Sequence, residues 1–226
     1  SLYRVSSPDA PPEVLTDVAD TDIGEGSDIA FTSDGSIVVL NRVRGAVRAE
    51  RIDPDGTRTV LTSDSDVVTG VDAAGERIVA TVAGARDSGE IAVLGGDHPV
   101  TITDFSAGLR EAGILPVEHH AIVGRTGQSV EGWLVKPEGD GPFPTLLMIH
   151  GGPFAAYTGA LFDEPQVYAD AGYAVVYCNP RGAAGFGEAF GRSIKNAMGT
   201  VDFEDVMDFF DGVLAADETL DADRVG

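Results

Sequence analysis

Short runs of alternating hydrophobic and polar residues dominate residues 1 to about 105, and Asp-Gly, Pro-Asp and Gly-Gly pairs separate these runs. A period of two is typical of half-buried β-strands, and such pairs are typical of the turns between antiparallel strands. The pattern predicts no helix of useful length in this part of the chain. We therefore expect residues 1–105 to form an antiparallel all-β segment.

The same segment contains an internal repeat. Val14, Val60 and Val100 occupy equivalent places in three predicted hairpins and lie 46 and 40 residues apart. A second register agrees, because Gly35 and Gly75 mark equivalent turns 40 residues apart. Four-stranded repeats of this length are typical of β-propeller blades, so we expect about two and a half blades, with a single β-sandwich as the alternative. Because closed propellers have four to eight blades, we also expect the chain to be truncated on its N-terminal side.

From about residue 117 strands alternate with helical patterns. A continuous apolar run at 145–149 is typical of a strand buried on both faces of a parallel sheet. Residues 224–226 begin what we expect to be a central strand, which places the end of the sequence in mid-fold. The other predicted elements are a hairpin of strands 120–123 and 130–136, a helix at 163–171 that Gly172 ends, a buried strand at 173–178, and a helix at 201–215.

The helix at 201–215 is amphipathic. Its predicted core face, at the i, i+3, i+4, i+7 spacing, consists of Phe203, Val206, Met207, Phe210, Val213 and Leu214. The opposite face carries acids at the i, i+3 spacing, which we interpret as solvent-exposed, with a calcium site as the alternative. These acids are Asp202, Asp205, Asp208 and Asp211.

Composition narrows the possible partners and the compartment. The chain has 226 residues, and 15 Lys and Arg against 37 Asp and Glu give a net charge of -22, so nucleic acid is not an expected partner. The one cysteine, Cys178, cannot form an internal disulfide and is predicted to be a small core residue, which suits a reducing compartment. The sequence has no run of 18 apolar residues and no signal-peptide pattern, so we expect a cytoplasmic protein without a membrane partner.

Candidate chemistry begins at His150-Gly151-Gly152-Pro153, directly after the apolar run at 145–149. Successive glycines allow a sharp turn at the end of a strand and leave backbone N–H groups free to face a ligand. Such a loop can bind an oxyanion, as one loop does in α/β-hydrolases. The alternative is a tight turn without a ligand.

A second loop follows the strand at 173–178 and runs from Asn179-Pro180-Arg181-Gly182 to Gly185-Phe186-Gly187. Together with the first loop, the segment Gly132 to Pro137, and Gly199 with Asp202 and Asp205, it resembles the prolyl oligopeptidase family of serine peptidases. The acylaminoacyl peptidase and dipeptidyl aminopeptidase-like branch is the most similar. The chain departs from the family's pattern at Ala183, where Ser or Gly is usual, and at Phe186, where a Tyr hydroxyl is lost.

The resemblance implies an α/β-hydrolase capped by a propeller, acting on peptide substrates without a metal or organic cofactor. It implies that the Gly152 N–H lies in the oxyanion hole and that His150, Gly151 and Pro153 shape the loop. Arg181 would anchor its own loop, with contact to substrate carbonyls or carboxylates as the alternative. The elbow G-x-S-x-G is absent, since segments 127–131 and 191–195 lack the closing glycine. We therefore expect Ser, Asp and His after Gly226 and no activity from this chain alone.

These expectations define three segments: 1–105 as the C-terminal blades of a propeller, 106–116 as a linker, and 117–226 as the N-terminal half of an α/β-hydrolase. Two other functions stay open, a carboxylesterase of the same fold and a non-catalytic binding module. An unpaired sheet edge further predicts a homo-oligomer or a partner segment that completes the sheet. Adjacent His119 and His120 should point to opposite faces of a strand, which argues against a shared metal. The glycines at 185, 187 and 191 do not match the spacing of a dinucleotide loop.

Overall fold

The computed structural model describes residues 2–17, 21–24, 27–96 and 98–226, and the chain divides into two compact units. Unit 1 contains the residues up to Glu111 together with two later segments, Thr158–Leu161 and Gly185–Glu188. Unit 2 contains Ala112–Tyr157, Phe162–Ala184 and Ala189–Gly226. Within the described ranges, no helix is both long enough and apolar enough to span a membrane.

Unit 1 is built almost entirely from antiparallel strands. A small sheet pairs β1 with β2, and a larger sheet contains two four-stranded meanders, β3 to β6 and β7 to β10, joined through Val47 and Val67. A short helix, α1 (Ala107–Ala112), follows the last strand. The strands are β1 (Tyr3–Arg4), β2 (Glu13–Val14), β3 (Ile29–Phe31), β4 (Ile37–Val43), β5 (Ala46–Ile52), β6 (Arg58–Val60), β7 (Val67–Ala74), β8 (Arg77–Gly84), β9 (Asp87–Leu94) and β10 (Val100–Thr101).

The predicted repeat is present as three equivalent hairpins. In each hairpin a threonine hydroxyl accepts a hydrogen bond from a backbone N–H of the facing strand: Thr16 from Leu2, Thr62 from Ala49 and Thr103 from Ile91, at 2.8, 3.1 and 2.9 Å.

These bonds correct the predicted register by one residue. The residue equivalent to Val14 and Val60 is Thr101 instead of Val100, because it lies two positions before the bonded Thr103. The sequence comparison aligned Val100 with Val14 and Val60 because all three are valines. The hydrogen bonds of the three hairpins instead align Thr101 with these two residues. The second register is confirmed, since Gly35 and Gly75 both have positive φ in the turns of the hairpins β3–β4 and β7–β8.

Unit 2 has a five-stranded mixed sheet between helices. The strand order is β11-β12-β14-β13-β15; β12 is antiparallel to both neighbours, and β13 is parallel to β14 and β15. Its strands are β11 (Val117–Val123), β12 (Ser129–Val135), β13 (Phe143–Met148), β14 (Ala174–Asn179) and β15 (Leu220–Val225). Its helices are α2 (Asp163–Asp170), α3 (Glu188–Arg192), whose first residue falls in unit 1, and α4 (Val201–Ala216).

Two hydrophobic layers cover opposite faces of this sheet. One layer packs α4 against β12 and β14, and the other packs Ala169 of α2 against the opposite side of the same strands. All six residues of β14 are buried, as the sequence predicted for this strand. Cys178 is part of the first layer, and its burial raises the pKa of the thiol to about 12. It is therefore a core residue and not an activated nucleophile.

The predicted hairpin and both long helices of unit 2 are confirmed, with ends that shift by up to three residues. Two strand predictions are wrong in part. Ile149 is exposed, because β13 ends at Met148 and its last residues are only partly covered. Strand β15 begins at Leu220 and not at residue 224, because pairing with β13 holds its polar residues in the sheet without burying them.

The predicted faces of α4 also need correction. Phe203 is exposed, while Phe209, which the prediction omitted, is fully buried beside Val206, Phe210 and Val213. The core face of α4 is therefore rotated relative to the predicted one, because the buried positions 206, 209, 210 and 213 themselves form an i, i+3, i+4, i+7 set. Asp205 lies at the edge of this face and is buried, so the acidic stripe is not uniformly solvated.

Candidate functional site

The loop His150-Gly151-Gly152-Pro153 lies between β13, which is the third strand of unit 2 along the chain and ends at Met148, and α2. Both glycines are exposed, and a Cβ atom built on either one would meet nothing within 4 Å. Among the described residues, neither glycine N–H donates a hydrogen bond. Two exposed residues near the carboxyl end of a parallel strand thus have backbone N–H groups without a hydrogen-bond partner among the described residues.

His150 turns back toward the protein. Its Nδ1 lies 2.6 Å from the carbonyl oxygen of Gly151, and its ring packs edge-on against Tyr157, with 5.0 Å between the centroids. Since a carbonyl can only accept, Nδ1 carries the proton. Nε2 is buried and has no hydrogen-bond partner within the described part of the chain. These contacts fix the shape of the loop, and burial raises the pKa of Tyr157 to about 12, so its phenol stays protonated.

The second loop starts at Asn179, which is fully buried at the end of β14. Its Oδ1 accepts the Tyr157 N–H at 2.8 Å, and its Nδ2 donates to the Tyr157 carbonyl at 2.9 Å. The side-chain amide of Asn179 thus pairs with both backbone groups of Tyr157, as the backbone of a neighbouring strand would. Asn179 therefore holds the segment that follows the glycine loop against the end of β14.

Two backbone hydrogen bonds join the loops directly. The Phe154 N–H donates to the Gly182 carbonyl at 3.0 Å, and the Ala184 N–H donates to the Ala155 carbonyl at 3.3 Å. Gly182 has φ +101°, and a Cβ there would lie 2.7 Å from Cδ1 of Ile194, so this position requires glycine. Phe154 itself has φ 63°, which is uncommon for a residue with a side chain. The glycine loop is thus held by its neighbour on the sheet.

Arg181 anchors the second loop to α4 through Asp205. Its backbone N–H and its Nε both donate to Oδ2 of Asp205 at 2.8 Å, and its Nη2 donates to Oδ1 at 2.7 Å. Nη2 also donates to the Val201 carbonyl at 3.2 Å. The Asp205 side chain is 1% exposed, and its hydrogen bond is the main cause that raises the pKa of Arg181.

The other acids of α4 organise further loops. Asp208 accepts the Arg125 N–H at 2.7 Å and also binds its guanidinium, which holds the β11–β12 turn. Asp202 accepts the Gly199 and Thr200 N–H groups at the start of the helix. The expectation of a solvated stripe is therefore wrong for Asp205 and Asp208. Among the described residues, no group of His, Cys, Asp and Glu could hold a metal ion.

The remaining motif residues lie apart from this loop pair. His119 packs on Trp133 and lies 3.6 Å from Glu131, whereas Nε2 of His120 lies 3.7 Å from Glu118. The two histidines thus lie near different carboxylates.

The later part of the second loop, Gly185–Glu188, belongs to unit 1. There the Gly185 N–H donates to Asp22 at 2.6 Å, its carbonyl accepts from the Arg44 N–H at 2.9 Å, and Cζ of Arg44 lies 5.7 Å from the centre of the Phe186 ring. Phe186 therefore takes part in a cation–π contact, which needs the ring and not a hydroxyl.

The sequence analysis identified the glycines and Arg181 as candidate site residues, but it did not identify the residues that hold their loops in place. Neither Asp205 nor Asn179 was assigned a contact with the loops, because their partners are 24 and 22 residues away along the chain, respectively. The one available signal was the position of Asp205 directly before the apolar residues Val206 and Met207 of the helix. An acid at the edge of a core face requires a partner when it is buried.

Comparison with known proteins places these loops in context. Residues 160–226 match the model of the prolyl oligopeptidase family. An uncharacterized peptidase, YuxL, of Bacillus subtilis is 43% identical over 103 residues, which is 44% of this chain and 16% of that protein. A probable dipeptidyl-peptidase 5 of Emericella nidulans is 33% identical over 100 residues, which is 42% of this chain and 14% of that protein. The chain thus spans about a sixth or less of the length of these relatives.

Solved structures share the fold of nearly the whole chain. The acylaminoacyl peptidase of Pyrococcus horikoshii superposes with a TM-score of 0.84 at 24% identity, over 96% of this chain and 34% of that one. A puromycin-hydrolyzing peptidase of Mycobacterium tuberculosis superposes with a TM-score of 0.73 at 20% identity, over 99% of this chain and 37% of that one. The predicted resemblance is confirmed in residues 160–226, which are similar to the prolyl oligopeptidase family of peptidases.

Proposed function

We propose that this chain is part of a serine peptidase of the prolyl oligopeptidase family that hydrolyses short peptides, in the manner of acylaminoacyl and dipeptidyl peptidases. The observation that carries the proposal is the exposed glycine loop, whose two N–H groups make no hydrogen bond among the described residues. In α/β-hydrolases one oxyanion donor comes from the loop between the third strand and the next helix. Gly152 lies in the corresponding loop, between β13 and α2.

In this mechanism the serine oxygen attacks the peptide carbonyl, and the Gly152 N–H stabilises the negative charge that develops on the carbonyl oxygen. The second donor would be the residue after the serine. Loss of one such donor costs roughly 10²–10³ in kcat in a well-studied serine peptidase. The chain itself has no G-x-S-x-G, so we assign the Ser, Asp and His to residues after Gly226.

The two units support the proposed division of the chain. We assign 117–226 to the N-terminal half of an α/β-hydrolase, because a mixed sheet between α2 and α4 carries the glycine loop at the carboxyl end of β13. We assign 1–105 to the last blades of a propeller, because two four-stranded antiparallel meanders repeat with equivalent turns. Residues 106–116 would link them.

Peptides are the proposed substrates for two reasons. The curated relatives are named as a peptidase and as dipeptidyl-peptidases. A solved acylaminoacyl peptidase of the same fold was captured with Z-Gly-Gly-Phe-chloromethyl ketone, a peptide-based reagent. The family resemblance implies a propeller domain that restricts the substrates to short or unstructured peptides.

Two other functions can be separated from this one by experiment. A carboxylesterase could use the same oxyanion loop for esters. A non-catalytic binding module could keep both loops as structure and lack the elbow. We expect the reading frame to encode G-x-S-x-G within about a dozen residues after Gly226, as the α/β-hydrolase order requires.

The test uses the protein encoded by the complete reading frame. It is assayed with an N-acetylated amino-acid anilide, a free dipeptide anilide and a short-chain ester of p-nitrophenol. Hydrolysis of either anilide supports the peptidase, whereas hydrolysis of the ester alone supports the esterase. The absence of both activities, together with the absence of the elbow from the gene, would support the binding module instead.

A further inference from the structure

We propose that Asp205, acting through Arg181, is a positioning residue that sets the geometry of the glycine loop and hence of the Gly152 N–H. This inference rests on the proposed function for its catalytic consequence, and on the contacts of unit 2 for its structural one. Within the part of the chain that the structure describes, Asp205 has no hydrogen bond or ion pair with the glycine loop itself. Its effect would pass through two short steps.

The first step is the attachment of Arg181. Asp205 receives three N–H groups from this one residue, one from the backbone and two from the guanidinium. A planar fork bound to both carboxylate oxygens fixes direction as well as distance. Because a backbone N–H is also bound, the main chain at Arg181 is fixed together with its side chain.

The second step leads from Arg181 to the glycine loop. Gly182 follows immediately, and its carbonyl accepts the Phe154 N–H at 3.0 Å, while its own N–H donates to the Phe190 carbonyl at 3.0 Å. Phe154 comes two residues after Gly152 in the sequence. A displacement of Arg181 therefore moves the acceptor that holds the end of the glycine loop.

The environment of Asp205 gives its charge a specific role. The side chain is 1% exposed and that of Arg181 is 15% exposed, so water does not readily replace either partner. In Asp205→Asn the charge is lost and an NH2 group, which cannot accept, replaces one of the two oxygens. Among the described residues, Nη2 of Arg181 would then keep only the Val201 carbonyl and the more distant Glu204, whose Oε2 lies 3.8 Å from Nη2. We expect the loop at Arg181 to adopt a new position in that case.

The structural test measures amide hydrogen exchange in this chain with the variant Asp205→Asn. Asp211→Asn is the matched control, because it removes the same charge from an exposed position on the same helix. We expect exchange of the Phe154 amide to accelerate at least about tenfold in Asp205→Asn, as the opening of one hydrogen bond requires. The amide of Val176 in β14, which reports on the core, should keep its protection in both variants.

Unchanged exchange at Phe154 in Asp205→Asn would overturn the proposal. Equal acceleration at Phe154 and Val176 would overturn it as well, since that result indicates general loss of stability. Arg181→Lys provides a second variant. It keeps the positive charge at this mostly buried site but loses the guanidinium group that binds both oxygens of Asp205. It should accelerate exchange at Phe154 without affecting Val176, and this prediction holds whether or not Asp205→Asn folds.

The catalytic test uses the protein encoded by the complete reading frame. We expect Asp205→Asn to lower kcat by about 10- to 100-fold, because a displacement of about 1 Å in a catalytic group costs about that much. KM should change less than about threefold, and Asp211→Asn should match the wild type. If kcat of Asp205→Asn equals that of the wild type, the positioning role is wrong. A wild-type protein without activity would count against the proposed function only, because the exchange result does not depend on catalysis.

Discussion

Gly132 shows how one backbone position can fix the packing of two strands. It lies in β12, faces Cys178 of β14, and has no room for a side chain. A Cβ at this position would lie 2.2 Å from the Tyr177 carbonyl oxygen and 2.7 Å from the Cα of Cys178. Since both contacts are with backbone atoms in a buried strand, no side-chain movement can relieve them.

We therefore predict that Gly132→Ala lowers the free energy of unfolding by about 3 kcal/mol, at the upper end of the usual cost of overpacking. Gly151→Ala is the control, because a Cβ there meets nothing within 4 Å, and its effect should stay within about 0.5 kcal/mol. Urea denaturation followed by circular dichroism measures both. Equal stability of the two variants would mean that β12 and β14 are not held this closely.

At the scale of single residues, the sequence identified candidate residues by their type but did not predict which side chains contact one another. Gly151 and Gly152 were identified because paired glycines after a buried strand have few other uses. Asp205 was placed on a solvated face, because an acid at i+3 from another acid is normally exposed. The structure shows that Asp205 is buried and that it accepts three hydrogen bonds from Arg181.

Glu90 is the corresponding structural acid of unit 1, and it holds two elements together. From β9 its carboxylate accepts hydrogen bonds from the Thr103 hydroxyl at 2.6 Å and from the N–H groups of Phe105 and Ser106 at 2.9 and 2.7 Å. The Thr103 hydroxyl is the main cause that lowers the pKa of Glu90 to about 2, against the opposing effect of burial. These three hydrogen bonds tie the connection from β10 into α1 to β9.

A lowered folded-state pKa gives a definite dependence on pH. Glu90 contributes stability above its unfolded pKa, about 4.3, and this contribution is lost as the pH falls toward about 2. We predict that Glu90→Gln is less stable than the wild type at pH 7, and that its stability falls less steeply between pH 5 and pH 2. Thermal unfolding across this range measures both effects.

The control for this prediction is Glu111→Gln, which changes the same residue type at an exposed position of α1. Its unfolding should follow the wild-type dependence on pH. A slope for Glu90→Gln identical to that of the wild type would show that the carboxylate does not keep these hydrogen bonds in solution.

At the scale of elements, apolar periodicity located strands and helices well wherever burial determines the pattern. Strand β14 and helix α2 were predicted within one residue at each end, because buried strands and Gly-terminated helices leave clear signals. Strand β15 was missed in its first four residues, since a strand with mostly exposed side chains shows no apolar alternation. The core face of α4 was predicted in a rotated position, because Phe203 and Phe209 both fit an apolar stripe and only packing distinguishes them.

The whole molecule carries a net charge of -22, and this charge should influence its stability more than any single ion pair does. Like charges repel one another in the compact state, and salt screens this repulsion. The screening length falls from about 30 Å at 0.01 M to about 3 Å at 1 M ionic strength. The many acids outweigh the surface ion pairs, each of which contributes little.

We predict that the Tm rises by several degrees when NaCl increases from about 0.01 to 0.5 M, as differential scanning calorimetry would show. Tetramethylammonium chloride at the same ionic strength should have the same effect if screening is the cause. A Tm that falls steadily with either salt would indicate that the ion pairs, and not the net repulsion, dominate.

At the scale of the whole molecule, the hydrophobic pattern predicted one change in the type of secondary structure along the chain. The change from a period of two to alternating strands and helices lies near the boundary between the two units at Glu111 and Ala112. The order of the strands was not accessible, because pairing of β14 between β12 and β13 depends on contacts far apart in the chain. For the same reason, the sequence could not predict that segments 158–161 and 185–188 belong with unit 1.

The central claim is that the glycine loop serves a nucleophilic serine located after Gly226, and labelling with a fluorophosphonate tests it most directly. The protein encoded by the complete reading frame is treated with the reagent and digested, and the modified residue is identified by mass spectrometry. The account predicts one modified serine, within G-x-S-x-G about a dozen residues after Gly226, and no modification of residues 1–226. An unmodified protein, or a modified serine within residues 1–226, would contradict it.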